Sequence, residues 1–464
     1  AIFPGRTVRT PFVGVGLAAL IVGGAAAADA QGWVTDARRI GMGGLGLDQS
    51  SLRRYNAAYR AVPARSGQHG QPKLTIPIPL GLIQFFHDHP LSNISNDPAF
   101  NHDSAGFNPV ELLNTFLNPP LFLEVKKAPT PTNDVVFGIG KDSLRVNLGQ
   151  TAKLVPEDQF GIGGSSRPLD PNFSIKGVRV GVMGWLHDDI GFTLGDTLLG
   201  FLRDSQPARP RTRYNILGDG TIEAGFAPSV GYAGRIVGDS ATALYLGGAL
   251  HYYVGLAYGH VTGDGGFTTG DSIFTGPTPV KPDARALTSY SKFGNSVGHG
   301  FGGDVGLALV TGPIELGIGV NDIGATITWP DTRRDSAFYR DSTAAHNGPP
   351  VRYSTPVLPN HIETKTKLPV SYLVNLAYTV GKTTLGADVL NNGRGTTVHV
   401  GGEQRVGVIV LRGGVARDQR KRLELGWGGG LRFGGLGLDV GFWTHTNSLS
   451  NQRGITMATS LSIY

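Results

Sequence analysis

The chain has 464 residues, of which 70 are Gly, 16% are charged and none is Cys. Glycine at about twice average usage and charge below the soluble norm of about 25% argue against an ordinary soluble enzyme of two to four domains, and the lack of Cys excludes a disulfide frame or thiolate metal site. The net charge of +6 sits on no basic face with interleaved aromatics, so nucleic acid is not an expected partner.

Read in chain order, Arg6 and Arg9 precede an apolar Gly/Ala-rich run from Phe12 to Ala28, and Ala28-Asp29-Ala30 offers a small-x-small cleavage site before Gln31. This is the layout of a secretory signal peptide over residues 1–30. No later apolar stretch approaches about 20 residues, so no transmembrane helix is expected. Residues 31–132 lack sustained alternation and read as a hatch or plug region, with a possible first strand; a periplasmic subdomain is the alternative. Lys73–Phe86 is apolar but carries Pro77 and Pro79, which donate no ladder hydrogen bond. Asn108-Pro109-Val110-Glu111 has the form of a helix start, Asn as N-cap and Pro at the first turn.

Residues 133–464 read as the barrel proper. From about Leu144 onward the chain alternates with period two, and before Ser174 the short strands near Leu121–Val125, Val135–Ile139 and Leu144–Leu148 are left open as spanning or not. Leu244, Leu246, Leu250, Tyr252, Val254, Leu256 and Tyr258 form one apolar stripe, with small or polar residues between them. Ile314–Val320, Tyr372–Val380, Leu423–Phe433 and Leu436–Phe442 repeat the pattern. The non-apolar face is mostly Gly, Ala and Ser, unlike a soluble surface. Tight turns at Gly238-Asp239, Gly312-Pro313, Gly381-Lys382 and Gly434-Gly435 alternate with long polar connections at Thr262–Ser296 and Pro330–Thr366. Shorter ones lie near Asn391–Gly395, Arg417–Arg422 and Thr444–Arg453. Short turns on one side and long loops on the other are the asymmetry of a membrane barrel. The expectation is therefore an all-β fold, a transmembrane antiparallel β-barrel of about 14 strands (roughly 12–16) with an N-terminal hatch, in outer-membrane lipid. Trp185, Tyr258, Trp329, Phe442 and Trp443 fall near strand ends and are expected in the aromatic girdles at the two interfaces.

The run Asp36-Ala37-Arg38-Arg39-Ile40-Gly41-Met42-Gly43-Gly44-Leu45-Gly46 resembles the start of mature proteins in the FadL-like outer-membrane superfamily. That group joins hydrophobic-compound transporters to the related PorV and TraF-like barrels. Tyr55-Asn56-Ala57-Ala58 resembles the Asn-Pro-Ala element that follows there, without its Pro, and Asn321-Asp322-Ile323-Gly324 resembles a strand-end motif of the same group. The resemblance implies a 14-strand barrel with a hatch in the bacterial outer membrane. The last strand departs from the common pattern, since Ile455, Met457, Leu461 and Ile463 form its stripe and Tyr464 is out of phase.

Arg179, Glu223, Arg235, Asp304, Glu315, Asp388, Glu424, Arg432 and Asp439 are in phase with the lumen, where they would pair with one another or line a polar path. His87-Asp88-His89 has permissive metal-ligand spacing but no third ligand, so no metal and no cofactor is expected. His251, His299 and His399 lie on or near strands without a Ser in a nucleophile context, and the glycines at 41–46 lack the Lys of a phosphate loop. No enzymatic activity is expected. The leading expectation is an outer-membrane channel for hydrophobic or amphipathic small molecules, with Leu80, Leu82, Ile83, Phe85 and Phe86 lining the ligand path. The alternatives are a scaffold or secretion-associated barrel that binds a protein partner through its long loops, and a general porin.

Overall fold

The computed structural model describes residues 36–47, 49–63, 74–77, 134–139, 142–147, 159–202, 208–239, 241–271, 281–291, 297–340, 351–417, 423–444 and 455–463. The proposed signal peptide, the possible helix at Asn108 and the five ligand-path residues at Leu80, Leu82, Ile83, Phe85 and Phe86 lie outside them.

Alternation of small and apolar residues lets each segment bury one face while its backbone groups pair with the next strand. The first strand, β1 (Leu74–Pro77), ends on its proline. β2 (Asp134–Ile139) and β3 (Asp142–Asn147) form a separate hairpin. β4 (Gln159–Leu169) and β5 (Asn172–Ile175) both pair with β6 (Val178–Leu194), so they act as one stave. β7 (Arg213–Gly238) and β8 (Thr242–Thr268) follow. β9 (Lys281–Ser291) and β10 (Gly298–Thr311) both lie between β8 and β11 (Ile314–Arg340), a second interrupted stave. β12 (Val351–Pro356), β13 (Ile362–Lys367) and β14 (Ser371–Val380) succeed one another along β11 as a third. The rest are β15 (Thr383–Asn391), β16 (Thr396–Val406), β17 (Ile409–Arg417), β18 (Leu423–Phe433), β19 (Leu436–Thr444) and β20 (Ile455–Ile463), and β20 pairs on with β1. The 18 strands of this sheet thus make fourteen antiparallel staves among the described residues once the three interrupted staves are each taken as one.

The register places the tight turns on one rim. Thr242 pairs with Thr311, Ile314 with Tyr378, Thr383 with Gln404, Ile409 with Leu431 and Leu436 with Ile463. Two further turns on this rim, at Lys176-Gly177 and Gly407-Val408, are not among those expected from the sequence; both use a glycine at positive φ.

The burial pattern is inside-out. Leu250, Phe301 and Val180 are 69%, 70% and 60% exposed, whereas Glu223, His251 and Asp439 are at most 1% exposed. Such a surface is stable only against hydrocarbon. Among the described residues no helix is long and apolar enough to cross a membrane, and the staves are what cross it.

Three expectations need correction. The polar connections at Thr262–Ser296 and Pro330–Thr366 carry much strand among the described residues: β8 runs to Thr268, β11 to Arg340, and β9, β12 and β13 lie within them. Strands beyond the bilayer have water on both sides, so hydropathy alternation does not mark them. Trp185, Tyr258, Trp329 and Trp443 are buried, with 4%, 7%, 0% and 9% exposure, and so do not form lipid-interface girdles. For Tyr258 the cause is explicit. Ala224 pairs with Ala257 and Gly225 with Gly255, which leaves Leu256 as an extra residue on β8. That bulge reverses the phase, and Tyr258 turns inward. Arg235 is exposed. It pairs with Tyr245, which is buried, so it shares the inner face but stands at the rim, beside the turn.

Candidate functional site

The interior is built around residues 36–62. Asp36 caps the helix α1 (Ala37–Gly41): its Oδ1 accepts the N–H groups of Arg38 at 2.8 Å and Arg39 at 3.4 Å, satisfying donors that a helix start leaves free. Gly43 and Gly44 turn the chain at positive φ. The helix α2 (Gln49–Tyr55) follows, and Asn56 caps a 3-10 turn over Ala57–Arg60 by accepting from the Ala58 N–H at 2.9 Å. The same Asn56 side chain donates to the Leu307 carbonyl on β10 at 2.9 Å.

This segment lies in a track of wall glycines. A Cβ at Gly441 would meet Ala37, at Gly414 and Gly401 Met42, at Gly386 Leu45 and Leu47, and at Gly306 and Gly319 Asn56. At Gly414 the contact would be 2.0 Å from the Met42 carbonyl oxygen, and at Gly247 2.3 Å from the Ala57 carbonyl carbon. The segment therefore crosses β19, β17, β16, β15, β11, β10 and β8 on their inner face, and only a wall without side chains there admits it.

Ion pairs bolt the segment down. Arg38 Nη2 and Nε donate to the two Glu403 carboxylate oxygens at 2.6 and 3.0 Å. Arg412 joins Glu403 (3.1 Å) to Asp439 (2.8 Å), and Arg432 also reaches Asp439 at 2.9 Å. Gly46 N–H donates to Asp388 at 3.4 Å, and Asp388 holds His399 at 2.5 Å. At the other end of the segment Arg60 pairs with Asp170, which also takes Arg179 at 3.1 Å.

A second cluster spans the lumen. Arg167 of β4 donates to Asp304 on β10 and to Asp322 on β11; His251 Nε2 meets Asp304 at 2.8 Å and Tyr253 O–H donates to Asp322 at 2.5 Å. The Ser165 N–H donates to the Asn392 carbonyl at 2.8 Å, and Arg394 pairs with Asp189. β4 neighbours β6, several staves from β11 and from the β15–β16 connection, so these contacts close through the interior. Between β4, β6, α2, β11 and β14 lies a narrow cleft, reached by Arg54, Ser165, Arg167, Trp185, His187 and Leu368, with room for about one water molecule.

Arg179, Glu223, Asp304, Glu315, Asp388, Glu424, Arg432 and Asp439 are buried. Asp304, Asp388, Arg432 and Asp439 enter the networks above, and Arg179 pairs with Asp170. Arg38, Glu403, Arg412 and Arg167 were missed. Arg412 and Glu403 have the lumen phase of their strands, so period two was the available signal; Arg167 sits by a register shift in β4 that hides its phase. Ser229 stands cross-strand from His251, but its hydroxyl donates to the Gly181 carbonyl at 3.4 Å. Nucleophile and base are not brought together there.

An apolar cluster completes the interior: Met183, Trp185, Ala227, Tyr253, Tyr258, Ala325, Ile327, Trp329 and Leu368. Trp329 stacks on Tyr258 with ring centroids 5.3 Å apart, and its Nε1 donates to Thr366 Oγ1 at 3.0 Å.

Fold and interior define the class: a membrane-spanning antiparallel β-barrel whose inner wall carries ion pairs and is crossed by the chain's own N-terminal segment. No family model and no curated protein matches the chain. Among solved structures it is similar to the Pseudomonas putida toluene transporter TodX, at 13% identity and TM-score 0.31 over 66% of this chain and 83% of that one. It is also similar to the CymD monoaromatic hydrocarbon channel (13%, TM-score 0.29, 71% and 94%) and to a Pseudomonas aeruginosa FadL homologue (13%, TM-score 0.24, 66% and 84%). The barrel itself rests on the ladder and the burial pattern rather than on these likenesses.

Proposed function

We propose that this protein is an outer-membrane channel for hydrophobic or amphipathic small molecules, with its short turns in the periplasm and its long connections outside. The carrying observation is the apolar cluster on the inner wall, where Trp185, Tyr253, Tyr258, Ile327 and Trp329 are buried inside the barrel. An aqueous pore gains nothing from such a wall. A lipophile crossing a polar leaflet gains an apolar environment where this packed cluster opens to admit it. Residues 36–62 act as the described part of a hatch that keeps ions from following the solute, which speaks against a general porin. The proposed signal peptide and the ligand-path residues of the hatch belong to the same reading.

The test is the full chain reconstituted in vesicles and planar bilayers. Uptake of radiolabelled toluene and of a fluorescent long-chain fatty acid is expected to exceed that of empty vesicles, without a large steady ion conductance. A steady conductance without lipophile uptake would mean a porin. Neither signal would leave the scaffold reading.

A further inference from the structure

We infer that the outer wall at β10, β11 and β13 binds the phosphates of an anionic glycolipid in the outer leaflet. Residues opposite one another in a ladder share a face. In one row Tyr252 pairs with Phe301, Phe301 with Thr326 and Thr326 with Lys367. In the next row toward the long-loop rim Val254 pairs with His299, His299 with Thr328 and Thr328 with Lys365. Phe301 is 70% exposed, so this face looks outward. His299, Lys365 and Lys367 are exposed on it. Strands about 4.8 Å apart put His299 and Lys365 about 10 Å apart at the backbone, with the Thr328 hydroxyl between them. Flexible lysine arms then converge on a group the size of a phosphate.

The position selects the ligand. Toward the short-turn rim the same face is apolar, with Val305, Leu307, Ile318 and Val374 exposed. Toward the long-loop rim it becomes polar, with Glu363, His361 and Asp331. The cations stand where hydrocarbon ends. Tyr252 and Phe301 rings, 4.9 Å apart, mark the boundary as interfacial aromatics do. Cations at headgroup depth meet lipid phosphates. Of the two acids, Asp331 meets His361 at 2.8 Å, and Glu363 pairs with Lys365 at 3.3 Å with both side chains more than half exposed. An exposed pair of this kind competes weakly. The choice of a phosphorylated glycolipid over a phospholipid follows from placing the long connections outside, and so rests on that part of the proposed orientation. It does not depend on which solute, if any, is carried.

The experiment is native mass spectrometry of the full chain in detergent, titrated separately with bisphosphorylated lipid A, its dephosphorylated form and phosphatidylglycerol. Lipid A is expected to be retained in preference to the other two. The double variant Lys365→Gln/Lys367→Gln is expected to lose about tenfold or more in lipid A affinity, and His299→Gln severalfold. Arg417→Gln, on a different part of the wall, is expected to change nothing. Heat-modifiable gel migration confirms that each variant is folded, and the single Lys367→Gln serves if the double variant is not. Equal retention by folded variant and parent overturns the site. Phosphatidylglycerol binding as tightly as lipid A overturns the glycolipid, whatever the uptake assays give.

Discussion

Arg38 and Glu403 lie 365 residues apart in the chain and close a two-point ion pair inside the barrel, at 2.6 and 3.0 Å. Glu403 also receives Arg412, and Arg412 continues to Asp439. The first helix of the segment is thus fastened to β16, β17 and β19 at once. Removing one member of a buried pair strands the other charge. Glu403→Gln and Arg38→Ala are each expected to cost about 3 kcal/mol in urea unfolding from lipid vesicles. The double variant should cost clearly less than the sum, because the two report one interaction. Additive losses would show that the pair is incidental.

The neighbours Gly413 and Gly414 on β17 allow a test of the inner track with its own control. A Cβ at Gly414 would fall on the Met42 carbonyl, whereas one at Gly413 would meet nothing within 4 Å. Gly414→Ala should destabilise by about 1–3 kcal/mol, the range for overpacking. Gly413→Ala should be neutral or slightly stabilising, since alanine restricts the unfolded chain. Equal effects in thermal unfolding would mean that the N-terminal segment does not sit where the glycines place it.

How much of this was legible beforehand depends on what each residue meets. Strand phase was readable wherever lipid lay on one side, because Leu438, Val440 and Phe442 must alternate with Gly437, Asp439 and Gly441 to keep hydrocarbon and interior apart. It failed at Tyr258, since a single extra residue at Leu256 reverses the faces and leaves no compositional trace. It failed again beyond the bilayer, where β9 and the upper half of β11 have water on both sides. The Asp36–Gly46 run marked itself by composition, but its seat did not. Gly247, Gly306 and Gly414 read as generic small residues on the inner face until the segment they accommodate is in place. Arg167 reaches Asp304 and Asp322 across the lumen, a relation no local pattern encodes.

The β7–β8 turn carries a carboxylate whose titration reports its own geometry. Asp239 Oδ1 accepts from the N–H groups of Ala241 at 2.7 Å and Thr242 at 2.9 Å. The Thr242 and Ala241 N–H groups hold its pKa below the ordinary carboxylate value. With a lowered folded pKa, the turn gains from the charge above the unfolded value of about 3.9 and loses that gain as pH falls through the folded one. A carbon-13 NMR titration in micelles should therefore give Asp239 a midpoint below that of a free aspartate. Asp239→Asn keeps an acceptor and should disturb the turn less than Asp239→Ala. A midpoint at or above the free value would contradict the capping geometry.

Trp329 separates a structural interior from one that a solute traverses. The side chain is fully buried, and Gly255 and Gly298 make room for it: a Cβ there would stand 2.3 and 2.7 Å from the ring. Trp329→Ala should cost about 3–5 kcal/mol for the cavity it leaves. Trp329→Phe keeps most of the packing and should cost about 1 kcal/mol beyond it, for the hydrogen bond lost to Thr366. The void left by alanine is walled mostly by apolar members of the same cluster, with the Thr366 hydroxyl at its edge. If apolar solutes pass beside this cluster, toluene uptake per folded molecule rises in Trp329→Ala while ion conductance stays flat, because a void with one hydroxyl at its edge does not hold the file of water that ions need. Uptake that falls instead would make the indole a surface the solute needs. Uptake unchanged by a void of this size would place the path elsewhere in the barrel and leave Trp329 a packing residue.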